Sequence, residues 1–197
     1  APMEGVVNHI MRDLLTSLGG IDRCVTEFLR VTDQKYPQRV FYRICPELHQ
    51  GGITSSGTPV YIQLLGGKPQ WMAENAAKAA SLGAPGIDLN FGCPAKIVNR
   101  NDGGSILLRE PKRVAEIVAA VRDEVDPATP VTAKIRLGYS DTALLEDIVG
   151  GVSEAGASEI CIHARTKEDG YNPPAYWHHI KPLLEQVETP IIANGEI

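Results

Sequence analysis

The motif Asn90-Phe91-Gly92-Cys93-Pro94 contains the residue best suited to chemistry in this sequence. A cysteine between glycine and proline leaves the preceding apolar run on a tight turn, so we expect its thiol at the mouth of a site. A free cysteine has a pKa of about 8.5 and is mostly a neutral thiol near pH 7. Cys93 can therefore donate a proton, or act as a nucleophile if a neighbouring cation lowers its pKa. The alternative is a buried cysteine that only packs in the turn.

Basic side chains lie at the ends of two later apolar runs. Lys134 and Arg136 end one run, and His163 and Arg165 end the next. Together they suit an anionic or electron-rich ligand, although each one alone could be a rim residue in a salt bridge. A third run ends in Asn194-Gly195-Glu196, where the glycine allows the backbone to approach a ligand closely.

Six apolar runs predict the strands that must position these residues. They are Cys24–Phe28, Val60–Gly66, Gly86–Gly92, Val131–Gly138, Glu159–Thr166 and Pro190–Ile197, and Ala1–Met3 could be the end of one more.

Helical stretches lie between these strands. Pro69 and Pro111 fit first-turn positions, where a missing N–H costs nothing. The stretch after Pro69 ends at Gly83, a residue typical of a helix end. Asp141 is expected to cap a helix over 142–155. Strands that alternate with helices predict parallel strands joined by right-handed crossovers.

The alternation of side chains along the strands indicates the architecture. In the run 131–138, Ala133 and Ile135 share one face while Lys134 and Arg136 share the other. A buried strand of an open, doubly wound sheet would be apolar on both faces. Polar groups at the C-terminal strand ends instead predict an α/β fold, a (β/α)8 TIM barrel with its active site at that mouth. Because such a barrel needs eight strands and the sequence offers about seven, we expect an incomplete barrel without its last strand.

The composition excludes several classes of protein. The 197 residues are 43% hydrophobic and 22% charged, as in a soluble globular protein. The net charge of −5 leaves no basic footprint of the kind that nucleic-acid binding usually requires. No apolar run approaches the ~18 residues of a membrane span. The four cysteines form no CxxC pair, which favours a reduced, cytoplasmic compartment. The adjacent pair His178-His179 lacks the spacing of a helical metal site, so no metal is predicted.

Several motifs in order along the chain resemble those of one family. They are Ala1–Gly5, Gln63–Gly66, Asp88–Pro94, Lys134–Gly138, His163–Thr166 and Asn194–Glu196. This set resembles the tRNA-dihydrouridine synthases. Two further segments, Thr26–Phe28 and Arg43–Leu48, are most similar to the bacterial C-type members, which act at position 16 of the tRNA D-loop.

The resemblance implies a fold and a reaction. It implies that residues 1–197 are part of an FMN-binding barrel, and that a C-terminal helical tRNA-binding domain is not present in this sequence. NADPH would reduce the flavin, which would pass hydride to C6 of a flipped-out uridine. Cys93 would protonate C5, in agreement with the neutral thiol expected above. The family's Gly-Arg pair after strand 8, which helps to hold the flavin phosphate, is absent from this sequence.

The resemblance also assigns roles to individual residues. The residues that would hold FMN are Pro2, Met3, Glu4, Gln63, Lys134, His163, Asn194, Gly195 and Glu196. Asn90 and Arg136 would face the substrate uridine, and Arg30 would lie near the RNA. Two alternatives stay open: another FMN barrel, similar to dihydroorotate dehydrogenase, that acts on a free pyrimidine, and a non-catalytic RNA-binding barrel fragment.

Overall fold

A curled, wholly parallel β-sheet forms the centre of the molecule. The computed structural model describes residues 2–196. The strands are β1 (Cys24–Val25), β2 (Leu29–Arg30), β3 (Val60–Leu65), β4 (Ile87–Asn90), β5 (Val131–Arg136), β6 (Glu159–His163) and β7 (Ile191–Asn194). The sheet order is β1-β3-β4-β5-β6-β7, and β2 pairs with the same strand β3 as β1 does.

Strands β1 and β2 are two halves of an interrupted strand, and only β1 lies within the predicted run Cys24–Phe28. The expected run 24–28 pairs only over Cys24–Val25, and pairing resumes at Leu29–Arg30. Between the two halves the Gln63 amide donates to the side-chain oxygen of Thr26 over 3.0 Å, where a regular ladder would use a backbone carbonyl. This hydroxyl contact interrupts the ladder. The expected strand end at Ala1–Met3 is not confirmed, because Ala1 lies outside the described residues and Pro2 and Met3 are in no strand.

Helices connect the strands, and the longer ones pack on the outer face of the sheet. The helices are α1 (His9–Ser17), α2 (Gln38–Ile44), α3 (Pro69–Ser81), α4 (Lys96–Arg100), α5 (Pro111–Glu124) and α6 (Leu145–Glu154), with 3₁₀ helices at Pro46–Gln50, Gly104–Arg109, Trp177–His179 and Lys181–Glu185. Pro69 and Pro111 open α3 and α5, as predicted. The prediction that Asp141 caps α6 is wrong: α6 begins at Leu145, and Asp141 instead accepts from the Ala143 amide in the preceding turn. None of the helices in residues 2–196 is long and apolar enough to cross a membrane.

The two faces of the sheet have opposite character, as the alternation predicted. Ala133 and Ile135 of β5 are fully buried in the core that the outer helices complete. Lys134 and Arg136 of the same strand face the inside of the curl, where they line a cavity. Arg23, just before β1, forms a salt bridge with Glu159 at the start of β6. Because these strands are four positions apart in the sheet, this contact requires strong curvature, and the fold is an incomplete (β/α)8 barrel.

Candidate active site

A cavity of about 670 Å³ opens at the C-terminal ends of the strands. Its volume lies within the range of pockets that bind small molecules and cofactors. The predicted site residues that line it are Pro2, Met3, Glu4, Asn90, Cys93, Lys134, Arg136, His163, Asn194 and Gly195, together with Arg165. A larger groove of about 1050 Å³ lies outside, between α3, α5 and α6, but none of its described lining residues is a cysteine or histidine. We therefore take the smaller cavity, which contains Cys93 and His163, as the candidate active site.

The turn that carries Cys93 is fixed from the strand side by Asn90. The Asn90 side-chain oxygen accepts from the backbone amides of both Gly92 and Cys93, each over 3.0 Å. Asn90 itself is only 3% exposed, so these bonds are shielded from water. The geometry explains why an asparagine at the end of β4 determines where a residue three positions later must lie.

The same turn is fixed from the loop side through the carbonyl oxygen of Cys93. That oxygen accepts from the Asn99 amide group over 3.0 Å, from the Ser105 hydroxyl over 2.9 Å and from the Ser105 backbone amide over 3.0 Å. Gly104 has a φ of +67°, and a Cβ atom there would lie 2.7 Å from the same oxygen. Only glycine at position 104 can come so close to the Cys93 carbonyl. Cys93 is therefore held at both of its peptide groups.

Three cationic side chains give the cavity a positive character. Within residues 2–196, Lys134 and Arg136 form no salt bridge with a carboxylate, while Arg165 pairs with Glu196. Burial lowers the pKa of Arg136, and Arg165 acts in the same direction. Lys134 donates to the Asn194 side-chain oxygen over 2.9 Å, which joins β5 to β7 across the cavity. These charges favour an anionic ligand.

His163 is a neutral side chain at physiological pH. Burial lowers its pKa to about 4, and the positive charges of Arg136, Lys134 and Arg165 add to that effect. An Arg165 guanidinium nitrogen lies 3.1 Å from His163 Nε2, which fits a neutral ring that accepts a hydrogen bond there. His163 is therefore suited to hydrogen bonding rather than to charge pairing with a ligand.

Comparison with known proteins identifies the family. The sequence profile described as "Dihydrouridine synthase (Dus)" matches residues 1–197. The chain belongs to the dihydrouridine synthase family. Three curated relatives named tRNA-dihydrouridine(16) synthase align with all of this chain: those of Shewanella oneidensis (56% identical), Vibrio parahaemolyticus (53%) and Pseudomonas syringae pv. tomato (54%). The chain covers only 61–62% of the length of these relatives.

Three predicted site residues of this family member do not line the cavity. Gln63 is fully buried, with its amide nitrogen 2.7 Å from Asp88 and its amide oxygen 2.9 Å from Asn90 Nδ2. Glu196 is bound to Arg165. Arg30 ends β2 and is not among the residues that line the cavity. Hydrogen bonds to Asp88 and Asn90 hold Gln63 below the cavity wall, and its role in FMN binding stays a prediction. The roles assigned to Glu196 and Arg30 stay predictions.

Several residues that line the cavity were not predicted from the sequence. Phe28, Ile97 and Val98 supply apolar wall, and Tyr171 is 68% exposed at the cavity with Arg136 5.1 Å from its ring centre. Ile97 and Val98 lie in the short helix α4 and Tyr171 lies in a loop, where no periodic pattern marks a face. Phe28 ends the predicted strand 24–28 but lies between β1 and β2 in the structure. The feature that marks Tyr171 is an exposed aromatic ring beside a cation, and the sequence alone does not show that exposure.

Proposed function

We propose that the full-length protein reduces a uridine of tRNA to 5,6-dihydrouridine, with FMN as hydride donor, NADPH as reductant and Cys93 as proton donor. The observation that carries this proposal is the placement of Cys93. Hydrogen bonds hold both peptide groups of Cys93, and the residue lies on the wall of a cationic cavity. Membership of the dihydrouridine synthase family supports the same reaction.

The donor set around the cavity fits FMN. A flavin mononucleotide combines a flat aromatic ring with an anionic phosphate, and the cavity combines apolar wall from Met3 and Phe28 with the cations Lys134 and Arg136. Its volume of about 670 Å³ suits a ligand of that class. We assign the cofactor-binding role to Pro2, Met3, Glu4, Lys134, His163, Asn194 and Gly195.

The proposed reaction adds a hydride and a proton to the uracil ring. When bound, FMN supplies the hydride that adds to C6 of the uracil ring. Cys93 donates its proton to C5, so that the C5–C6 double bond gains two hydrogens and the cysteine is left as a thiolate. A thiol is a suitable general acid for that step. Lys134 can support negative charge on the ring of the bound cofactor.

The relatives' names support position 16 of the D-loop as the target uridine. A base inside a stacked helix cannot reach a thiol on the wall of a cavity, so the uridine must leave the stack. We place Asn90 and Arg136 near that base and Arg30 near the RNA backbone. The four free cysteines suit the cytoplasm, where tRNA is modified.

Product analysis tests this function. Purified full-length protein, FMN and NADPH are incubated with an unmodified tRNA transcript, and dihydrouridine is mapped by mass spectrometry. We expect one dihydrouridine at position 16, and none in a matched transcript with cytidine there. A parallel incubation with free uracil or orotate addresses the alternative reaction on a free pyrimidine. Turnover of the free base without modification of tRNA would overturn the proposal.

A further inference from the structure

A continuous chain of buried hydrogen bonds runs from the interior of the barrel to Cys93. Thr132 donates its hydroxyl to Asp88 over 2.6 Å, and the Gln63 amide group donates to the other Asp88 oxygen over 2.7 Å. The Asn90 amide group donates to Gln63 over 2.9 Å, and the Cys93 backbone amide donates to Asn90 over 3.0 Å. The four side chains are at most 5% exposed. Water therefore cannot replace any of these bonds without a structural change.

The chemistry of the two ends determines the orientation of both amides in the middle. Burial raises the pKa of Asp88. The Asp88 oxygen towards Gln63 accepts a hydrogen bond in a carboxylate and equally as the carbonyl oxygen of a carboxyl group, so the Gln63 nitrogen faces it and the Gln63 oxygen faces Asn90. The backbone amide of Cys93 only donates, so the Asn90 oxygen must face Cys93 and its nitrogen must face Gln63. Reversal of either amide would place two donors or two acceptors in contact. The chain thus has one consistent arrangement, with Asp88 at its origin.

We propose that Asp88 is a positioning residue that sets the place of Cys93 through Gln63 and Asn90. Asp88 does not line the cavity, and its effect on the reaction is indirect. The expected effect of Asp88 on catalysis rests on the proposed function, whereas its expected effect on the position of the Cys93 thiol does not.

Alkylation of Cys93 by iodoacetamide tests the positioning role without cofactor or tRNA turnover. The rate is followed by mass spectrometry of the Cys93 peptide in the full-length protein. In Asp88→Leu we expect alkylation about threefold faster or more, because the released turn exposes a thiol that is half-buried in the wild type. Burial raises the pKa of Cys45 to about 12 and also raises the pKa of Cys24 and Cys161, so these thiols should react slowly in all folded variants.

Two further variants separate positioning from general stability. Asp88→Asn can accept from Gln63 and donate to the Thr132 hydroxyl, so it should restore an alkylation rate within about twofold of the wild type. Leu89→Ala removes a fully buried neighbour on the core side of β4 and should lower the melting temperature without changing Cys93 alkylation. If Asp88→Leu does not fold, Gln63→Met removes the same connection at similar volume and carries the same expectation.

The reaction itself provides the second readout. In Asp88→Leu we expect oxidation of the reduced flavin by tRNA to slow by about 10²-fold, as a misplaced reacting group commonly produces, with reduction by NADPH retained. Wild-type alkylation and wild-type tRNA reaction in Asp88→Leu, or an equal alkylation change in Leu89→Ala, would overturn the positioning role alone. A wild-type protein that forms no dihydrouridine would instead overturn the proposed function and leave the alkylation result standing.

Discussion

The Nε atom of Arg136 donates a hydrogen bond of 2.9 Å to the carbonyl oxygen of Gly92, the residue before Cys93. The same guanidinium donates to the carbonyls of Thr166 and Gly170 over 2.9 and 2.8 Å. Arg136 is 2% exposed. A residue assigned from the sequence to the substrate is therefore also the link between the cysteine turn and the loop after β6.

Replacement of Arg136 by lysine should release that link. A lysine ammonium is a single point of charge and cannot reach three carbonyls in the way that a planar fork can. We expect faster amide hydrogen exchange in residues 90–95 and 164–172 of Arg136→Lys, measured by mass spectrometry, with the remaining sheet unchanged. Arg109→Lys, at an exposed arginine outside the cavity lining, provides the control. Unchanged exchange together with a raised KM for tRNA would assign Arg136 to substrate binding alone.

Lys134 should contribute directly to FMN affinity. Its ammonium group lies on the cavity wall and, within residues 2–196, bonds only to the neutral Asn194 side chain, so its charge remains available to an anionic ligand. A hydrogen bond to a charged group contributes about 1.5–3 kcal/mol, so Lys134→Met should weaken FMN binding by roughly 10- to 100-fold. Titration of flavin fluorescence against the apoprotein measures the change. Lys112→Met, an exposed lysine of the outer groove, should bind FMN as the wild type does; equal loss in both variants would contradict the assigned flavin site.

Strict alternation along the strands made part of this site predictable. The side chains of Lys134 and Arg136 must share a face because successive residues of a strand point to opposite sides. Gln63 has the correct alternation too, yet it lies below the cavity, because alternation determines the face and not the depth. That depth depends on the hydrogen bonds that Asp88 and Asn90 form with Gln63. Loop residues such as Tyr171 have no periodic pattern, so only the folded chain brings them to the cavity.

His163 should make the stability of the protein depend on pH. Its folded pKa of about 4 lies below the ordinary 6.5, so the unfolded chain binds the proton first as the pH falls. Stability is therefore full above about pH 6.5, decreases as the pH falls towards 4 and levels off below that value. The largest effect is about 3 kcal/mol. In His163→Gln the difference between urea midpoints at pH 7 and pH 4.5 should become smaller, and an unchanged difference would assign the proton uptake to other groups.

Replacement of Cys93 tests the proton-transfer step most directly. In Cys93→Ala the backbone bonds to Asn90 and Ser105 remain possible, so we expect the turn, FMN content and flavin reduction by NADPH to be retained. Dihydrouridine formation should fall by roughly 10²- to 10⁴-fold, the usual contribution of a positioned acid. Cys93→Ser should recover little activity, because a hydroxyl is a much weaker acid than a thiol.

A second cysteine supplies the control for that experiment. Cys24 is half-buried like Cys93 but lies in β1, away from the cavity, so Cys24→Ala should change stability and not turnover. Single-turnover oxidation of the reduced flavin by unmodified tRNA separates chemistry from folding, because only correctly folded, flavin-containing protein contributes to the signal. If Cys93 only packs in the turn, its alanine variant should lose flavin or stability while the folded fraction reacts at the normal rate. Near-normal oxidation and product formation in Cys93→Ala would therefore remove the thiol from the mechanism, since no proton from position 93 would then be available to C5.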